Sequence, residues 1–402
     1  MILRIAIASV DNSKSVKIGG KHAFQELLEK GLSEIGHDVE VFYPKVSRNT
    51  FLRRIRLLPH LLTNPKLLLP FNVALIKSRT LNKYMMDFFR KLNFKDFDIV
   101  NAQDVLSASA LEFDNLVLTF HGYYVAEALN RIKLYNITTE QLRYYENLLR
   151  QIEEESIRKA KHIIVVETGR REYIKKEYSV PEEKITVLHG MTDTVVFKPV
   201  TEDEKMKIRK ELGFPRDAFI VLVPRRYHPA SGVDYAAEAF RRLSEKNYFF
   251  VFVGQGVLKD KIKLTLKHSE NVVVLDAIPH DKIHSYFKAS DMVLIPSIIS
   301  PENVTEGLPI AMLESMACGK VTVCTKVGGM KEVIKHMENG ILVEEKDIQA
   351  IIDAINYTKE NYDKLEYLRN NAREYIVSNH GYLNYAKKVT EIFQKILSDS
   401  KF

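Results

Sequence analysis

Hydrophobic character arrives in this chain in short bursts. Runs of β-branched and aromatic residues fall at 2–8 (ILRIAIA), 39–43, 99–102, 116–120, 162–166 and 185–188 in the first half. In the second half they fall at 219–223, 249–253, 272–275, 292–296, 321–324 and 341–343. Within most runs the apolar character is continuous rather than alternating, which predicts strands covered on both faces, as in parallel sheets. Segments with helical patterns separate nearly every pair, so the predicted class is α/β with doubly wound units. Twelve strands are many for one such sheet. The polar stretch KPVTEDEKMK (198–207) lies near the midpoint and reads as a linker. Two Rossmann-like domains facing each other across a cleft, over 1–198 and 199–384, are the simplest arrangement.

In such sheets ligands bind beyond the carboxyl ends of the strands, where the strand order switches. The loops after the predicted strands are therefore the places to look for chemistry. TEGLPIAMLESMACGK (305–320) follows the run at 292–296. Pro309 suits the first helical position and Gly319 the stop. Glu306 then lies in the turn before a helix, and Glu314, one and a half turns in, points back along the same side. Gly307 allows close backbone approach, and the amides of the helix start form an anion site. This layout suits a ligand with a diphosphate at the amides and hydroxyls at either end. Favourable placement of acids near a helix start explains neither the Gly-Leu-Pro turn nor a carboxylate inside the run IAMLESMA.

Three further loops carry candidates. His121 follows the run at 116–120, where an imidazole could bond a sugar hydroxyl or serve a purely structural bond. Gly19 and Gly20 sit late in the first strand-helix loop; they either let amides approach a phosphate or acceptor, or simply loosen the loop. FVGQGVLK (252–259) has the first two glycines of a dinucleotide fingerprint, Gly254 and Gly256, but its third position is Lys259 and the only acid in reach is Asp276. A dehydrogenase is therefore a poor reading, and a loop lining a nucleotide pocket a better one.

Composition narrows the class without naming the substrate. Apolar residues make up 46% of 402, with 17 Gly and 13 Pro, which excludes disordered and fibrous chains. No run of 18 apolar residues is present to cross a membrane, and MILRIAIASVD reads as a first strand rather than a signal peptide. The expected location is cytoplasmic. Cys318 and Cys324 cannot staple a chain of this size, and their spacing is no standard zinc motif. DFD at 96–98 precedes a strand rather than following one and reads as a surface turn.

The net charge of +7 is unevenly placed: residues 45–95 hold twelve Lys/Arg against a single acid, Asp87, so the remainder is net acidic. One local feature accounts for the basicity, and a nucleic-acid coat is not the reading. In FLRRIRLLPHLL, Phe51, Leu52, Ile55 and Leu58 share a helical stripe, with Arg53, Arg54 and Arg56 off it; LNKYMMDFFRKLNFK (81–95) repeats the mix. An apolar stripe beside clustered cations is the two-signal pattern for docking on an anionic bilayer at the inner face of the membrane. The same stripe could instead face the domain's own sheet. Both readings stay open at this point.

EGLPIAMLESMACGKVTVCTKVGGMKEVI…NGILV resembles the signature region of retaining GT-B glycosyltransferases of family 4. IGGKHAFQELLEKGLSEIGHDVEVF, LTFHG, SIRKAKHIIVVETGRREYI, VFVGQGVLKDKI and FKASDMVLIPS resemble further elements of that family, in order and over nearly the whole chain. The resemblance implies a retaining transfer of a sugar from a nucleotide-sugar donor to a sugar or lipid-linked hydroxyl acceptor, without a bound metal or other cofactor. It implies that Glu314 accepts hydrogen bonds from the ribose and that Glu306, with the amides of Gly307 and Leu308, holds the donor sugar near its anomeric carbon. Catalytic roles pass to Glu306, His121 and Arg225. Donor contacts pass to Gly19, Gly20, Arg226, Ser231, Gly254, Gly256, Ile278, Gly307, Leu308 and Glu314. The last helix, about 385–402, is expected to return to the first domain. One departure stands out: the family has a Lys shortly before Gly232, where this chain has Ala230 and Ser231. Arg225, Arg226 and the Ser231 hydroxyl are left to compensate a leaving diphosphate. That departure raises an alternative, a nucleotide-sugar binder without turnover; the basic segment raises another, a membrane-surface binder.

Overall fold

Each of the twelve apolar runs is a strand in the computed structural model, which describes residues 1–11, 20–45, 73–133, 135, 137–243, 247–299 and 307–399. The strands are β1 (Arg4–Ala8), β2 (Asp38–Phe42), β3 (Ile99–Ala102), β4 (Leu116–Phe120), β5 (His162–Val165) and β6 (Ile185–Val187). They continue with β7 (Phe219–Pro224), β8 (Tyr248–Val253), β9 (Val272–Leu275), β10 (Met292–Ile295), β11 (Val321–Thr325) and β12 (Ile341–Val343). They form two six-stranded sheets in the orders β2-β1-β3-β4-β5-β6 and β12-β11-β10-β7-β8-β9. Pairing is parallel, with Ile5 opposite Ile99 and Met292 opposite both Val221 and Val321. Central strands such as β4 are buried at every residue, whereas the edge strand β2 is half exposed. This is the burial expected when helices cover both faces and only the sheet margins meet water.

By its internal contacts the chain divides into two units: Met1–Ser15, Glu29–Leu188 and Ala386–Phe402 in one, Val16–Leu28 and His189–Tyr385 in the other. The last helix, Tyr382–Asp399, contributes Thr390 to the first unit, where its Oγ1 lies 3.0 Å from His37 Nε2. Residues 198–207, expected as a linker, are largely helix. Thr201 caps the Glu202–Leu212 helix through a capping box with Glu204, and Gly213 ends it at φ 70°. Its polar composition misleads because it is anchored by charge: Asp291 lies 2.6 Å from both Lys205 and Arg209, all three buried.

The basic segment is only partly described. The stripe of Phe51, Leu52, Ile55 and Leu58 lies outside the described residues. In 81–95 the Val73–Arg90 helix sends Met86 and Phe89 into the first unit's core, with Phe88 and Leu92 packed against it. The apolar stripe there is covered by its own unit, which corrects the membrane expectation for that half. No described helix is long and apolar enough to cross a membrane. The DFD turn is structural: Asp98 Oδ2 accepts from the Arg4 amide at 2.7 Å.

Candidate functional site

The strand order of the second sheet reverses between β7 and β10, so the loops after these strands are the ligand position for this topology. They are locked together. Ile298 N donates to Ala230 O (3.0 Å), and Gly232 sits at φ +63° with a missing Cβ that would overlap the Pro296 carbonyl oxygen. Only glycine meets both demands. Gly254, after β8, is a second backbone approach: a Cβ there would overlap the Arg225 carbonyl oxygen. Tyr227 N donates to Gln255 O (2.9 Å) and Leu258 N to Tyr227 O (3.0 Å), while Gly256 packs against the Tyr227 carbonyl. Gly254 and Gly256 thus clamp the loop after β8 onto the loop after β7. Asp276, the acid a dinucleotide site would need, is paired with Lys259.

Arg225 is 8% exposed and donates from Nη2 to Ser297 Oγ at 2.9 Å; Ser297 O in turn accepts from Thr325 Oγ1 at 2.5 Å. The carboxyl ends of β7, β10 and β11 are joined through this chain of bonds. Burial, and then the like charge of Arg226, push the Arg225 guanidinium down to about 9. Arg226 is exposed, whereas Ser231 is fully buried. Of the two arginines, Arg226 is therefore the one presented to solvent. Ser231 brings no cation to the place where the resemblance expects one.

The helix of the 305–320 motif runs Ile310–Ala317, starting one residue after Pro309, and Gly319 at φ +62° stops it. Gly307 O accepts from Gly329 N (3.1 Å), and Leu308 is half-buried. Glu306 lies outside the described residues, as does Gly19. Gly20 opens the Gly20–Glu34 helix, where a Cβ would stand 3.3 Å from Ile310 Cδ1. Glu314 is 4% exposed, and its Oε1 lies 2.5 Å from His280 Nε2. His280 begins the His280–Ala289 helix, two residues after the half-buried Ile278, and its ring lies 5.5 Å from that of Phe197. Burial opposes charge on His280, but the Glu314 carboxylate, by charge and hydrogen bond, outweighs it and holds the ring above its ordinary value.

In the first unit the order reverses between β1 and β3. His121, after β4, is held by a buried amide chain. Its Nε2 lies 2.9 Å from Gln103 Oε1; Gln103 donates to Asn101 Oδ1 (2.5 Å), and Asn101 donates to Thr119 Oγ1 (3.0 Å). The Asp104 carboxylate accepts from Val10 N at 2.8 Å and from Ser107 N at 2.9 Å, tying the loops after β1 and β3 together.

Residues 204–375 match the family model for glycosyl transferases group 1, and residues 18–196 that for glycosyltransferase family 4. The chain belongs to the family 4 glycosyltransferases. An uncharacterized glycosyltransferase of Methanocaldococcus jannaschii is 27% identical over 239 residues, 58% of this chain and 59% of that protein. The UDP-Gal:alpha-D-GlcNAc-diphosphoundecaprenol alpha-1,3-galactosyltransferase of Escherichia coli is 25% identical, over 80% of this chain and 81% of its own. The alignment with the first of these spans less than two thirds of that protein's length. Among solved structures, sucrose-phosphate synthase from Thermosynechococcus elongatus superposes with a TM-score of 0.75 at 17% identity, over 99% of this chain and 100% of the other. The Anabaena protein HepE in complex with UDP-glucose gives 0.68 at 17% identity, over 97% and 99%. At these identities the likeness establishes the GT-B fold.

Two features of this glycosyltransferase escaped the sequence reading. His280 gave no local signal of a pairing with Glu314 across 34 positions. Asn101 and Gln103 carry no local signal either; the parallel pairing of β3 with β4 brings the ends of the two strands together, where Asn101 bonds Thr119 and Gln103 meets His121.

Proposed function

We propose that this chain transfers a sugar from a nucleotide-sugar donor to a hydroxyl of a sugar or lipid-linked acceptor, with retention of configuration. The observation that carries this reading is the locked meeting of the loops after β7 and β10 at the reversal of the second sheet. In this reading Arg226 and the start of the Ile310–Ala317 helix, with Gly307 and Leu308, take the diphosphate, as cations and helix amides do. Glu314, held by His280, takes the ribose, with Ile278 beside the base. Arg225 positions Ser297 and the strand ends rather than touching the donor. Glu306 serves the donor sugar, Gly19 and Gly20 the phosphate side, and His121 the acceptor. The bond from the anomeric carbon to the diphosphate oxygen breaks, and the acceptor oxygen bonds to that carbon on the same face. The hydroxyl proton passes to the departing diphosphate oxygen, and the charge that remains on the diphosphate is met by the cation and amides. The Escherichia coli relative, named for a UDP-sugar and a diphosphoundecaprenol-linked acceptor, supports both substrate classes.

Calorimetric titration with UDP-, GDP- and ADP-sugars tests the donor half. One of them should bind the parent, and Glu314→Gln should bind it about tenfold more weakly, roughly 1.4 kcal/mol, at a temperature where parent and variant are both fully folded. Equal affinity in the variant would remove the ribose role. The anomeric configuration of the product, read by NMR, tests retention. A second reading, binding without turnover, is favoured by the buried Ser231. Donor binding with neither transfer to any acceptor nor hydrolysis would establish it instead.

A further inference from the structure

Between the Val73–Arg90, Tyr124–Ile132 and Thr139–Lys159 helices of the first unit lies a cavity of about 450 Å³, within the range of small-ligand pockets. Leu81, Ala128 and Ile132 make its wall apolar. Lys77 and Arg131 line it from exposed positions, and neither has an ion-pair partner among the described residues. No carboxylate stands among the lining residues described. Two cations without counter-charge beside an apolar wall are what an anion with an apolar tail requires.

The interior adds donors. Tyr124 OH accepts from Asn82 Nδ2 at 3.1 Å, which leaves its own proton with no acceptor among the described residues. The Tyr145 and Ser78 hydroxyls lie 2.5 Å apart. Burial raises both phenols above their ordinary value, so they stay protonated as donors. Tyr124 also begins the helix that follows His121, three residues on.

We infer that this cavity binds an alkyl or isoprenoid phosphate, its phosphate between Lys77, Arg131 and the Tyr124 hydroxyl and its first methylenes along Leu81 and Ile132. That the bound anion is the lipid end of the acceptor rests on the glycosyltransferase reading above; the binding itself does not.

The probe is octyl phosphate, kept monomeric, titrated calorimetrically into the full chain beside octyl glucoside and inorganic phosphate. Octyl phosphate should bind at least about tenfold more tightly than either control. Lys77→Gln with Arg131→Gln should weaken it by a further factor of about ten or more, with melting temperature and nucleotide-sugar affinity unchanged. Ala128→Leu, which fills the cavity, should weaken octyl phosphate and leave nucleotide-sugar binding intact. The inference is overturned if octyl phosphate binds no better than octyl glucoside, or keeps its affinity in the double variant. Binding to phosphatidylglycerol vesicles without binding to the monomer would overturn it too, because that is surface charge alone. Octyl phosphate binding in a chain that takes no nucleotide sugar would support the cavity and overturn the donor reading.

Discussion

In the second unit the loops at the sheet reversal are fixed by backbone: Gly232 under Pro296, Gly254 under Arg225, and amide-to-carbonyl bonds from loop to loop. In the first unit the corresponding residues are fixed by side chains, through the Asn101–Gln103–His121 amide chain and the Asp104 carboxylate. Backbone contact demands a particular residue, glycine, at a particular place, and it leaves a mark in the sequence. A side-chain network can be built from many residue pairs, and its members are separated by a strand and a helix. The loops at the reversal of the second sheet were therefore readable in advance, whereas the support behind His121 was not.

The sharpest test sets two glycines against each other. Gly232→Ala meets both a positive φ and a backbone oxygen that cannot move aside, and should cost about 3 kcal/mol of stability. Gly122→Ala meets only the carboxylate end of Glu127, a flexible side chain, and should cost under about 1 kcal/mol. Chemical denaturation of both variants measures the difference, and equal losses would break the distinction between the two regions.

A smaller effect is expected from the amide chain. Gln103→Leu removes the partner of His121 Nε2 and one donor to Asn101, a cost of about 1–3 kcal/mol in a buried network. Turnover should fall about tenfold while nucleotide-sugar affinity stays at the parent value. A variant that loses both equally would show that Gln103 acts through overall stability, not through His121.

The weakest signature is in pH. Burial, then the charges of Lys395 and Lys184, push His162 on β5 down to about 4, while Glu314 holds His280 above 6.5. As pH falls from 6.5 towards 4, the unfolded chain takes a proton at residue 162 that the folded chain refuses, so stability is lost over that window. The His280 contribution has the opposite sense. It is fully present below 6.5 and is lost as pH rises through the raised value of the folded state. His162→Asn should flatten the acid side of the melting-temperature profile, and His280→Gln the alkaline side. If either variant changes the other's side, the assignment of the two slopes is wrong.

The twelve strands, their parallel class and the helix that Gly319 stops were legible from residue order alone, because burial on both faces and positive φ restrict composition locally. The Glu202–Leu212 helix was not, since its anchor is the ion pairing of Lys205 and Arg209 with Asp291, more than eighty positions away. Nor could the order of residues say which arginine is presented. Arg225 and Arg226 are chemically equal neighbours, and only the packing of β7 between β8 and β10 buries the first against Ser297 and leaves the second in water. The motif around Glu314 identified the family. The His280 pairing, the cavity of Lys77 and Arg131 and the amide chain to His121 came from tertiary structure, because each joins side chains that the sequence keeps apart and only the fold brings within bonding distance.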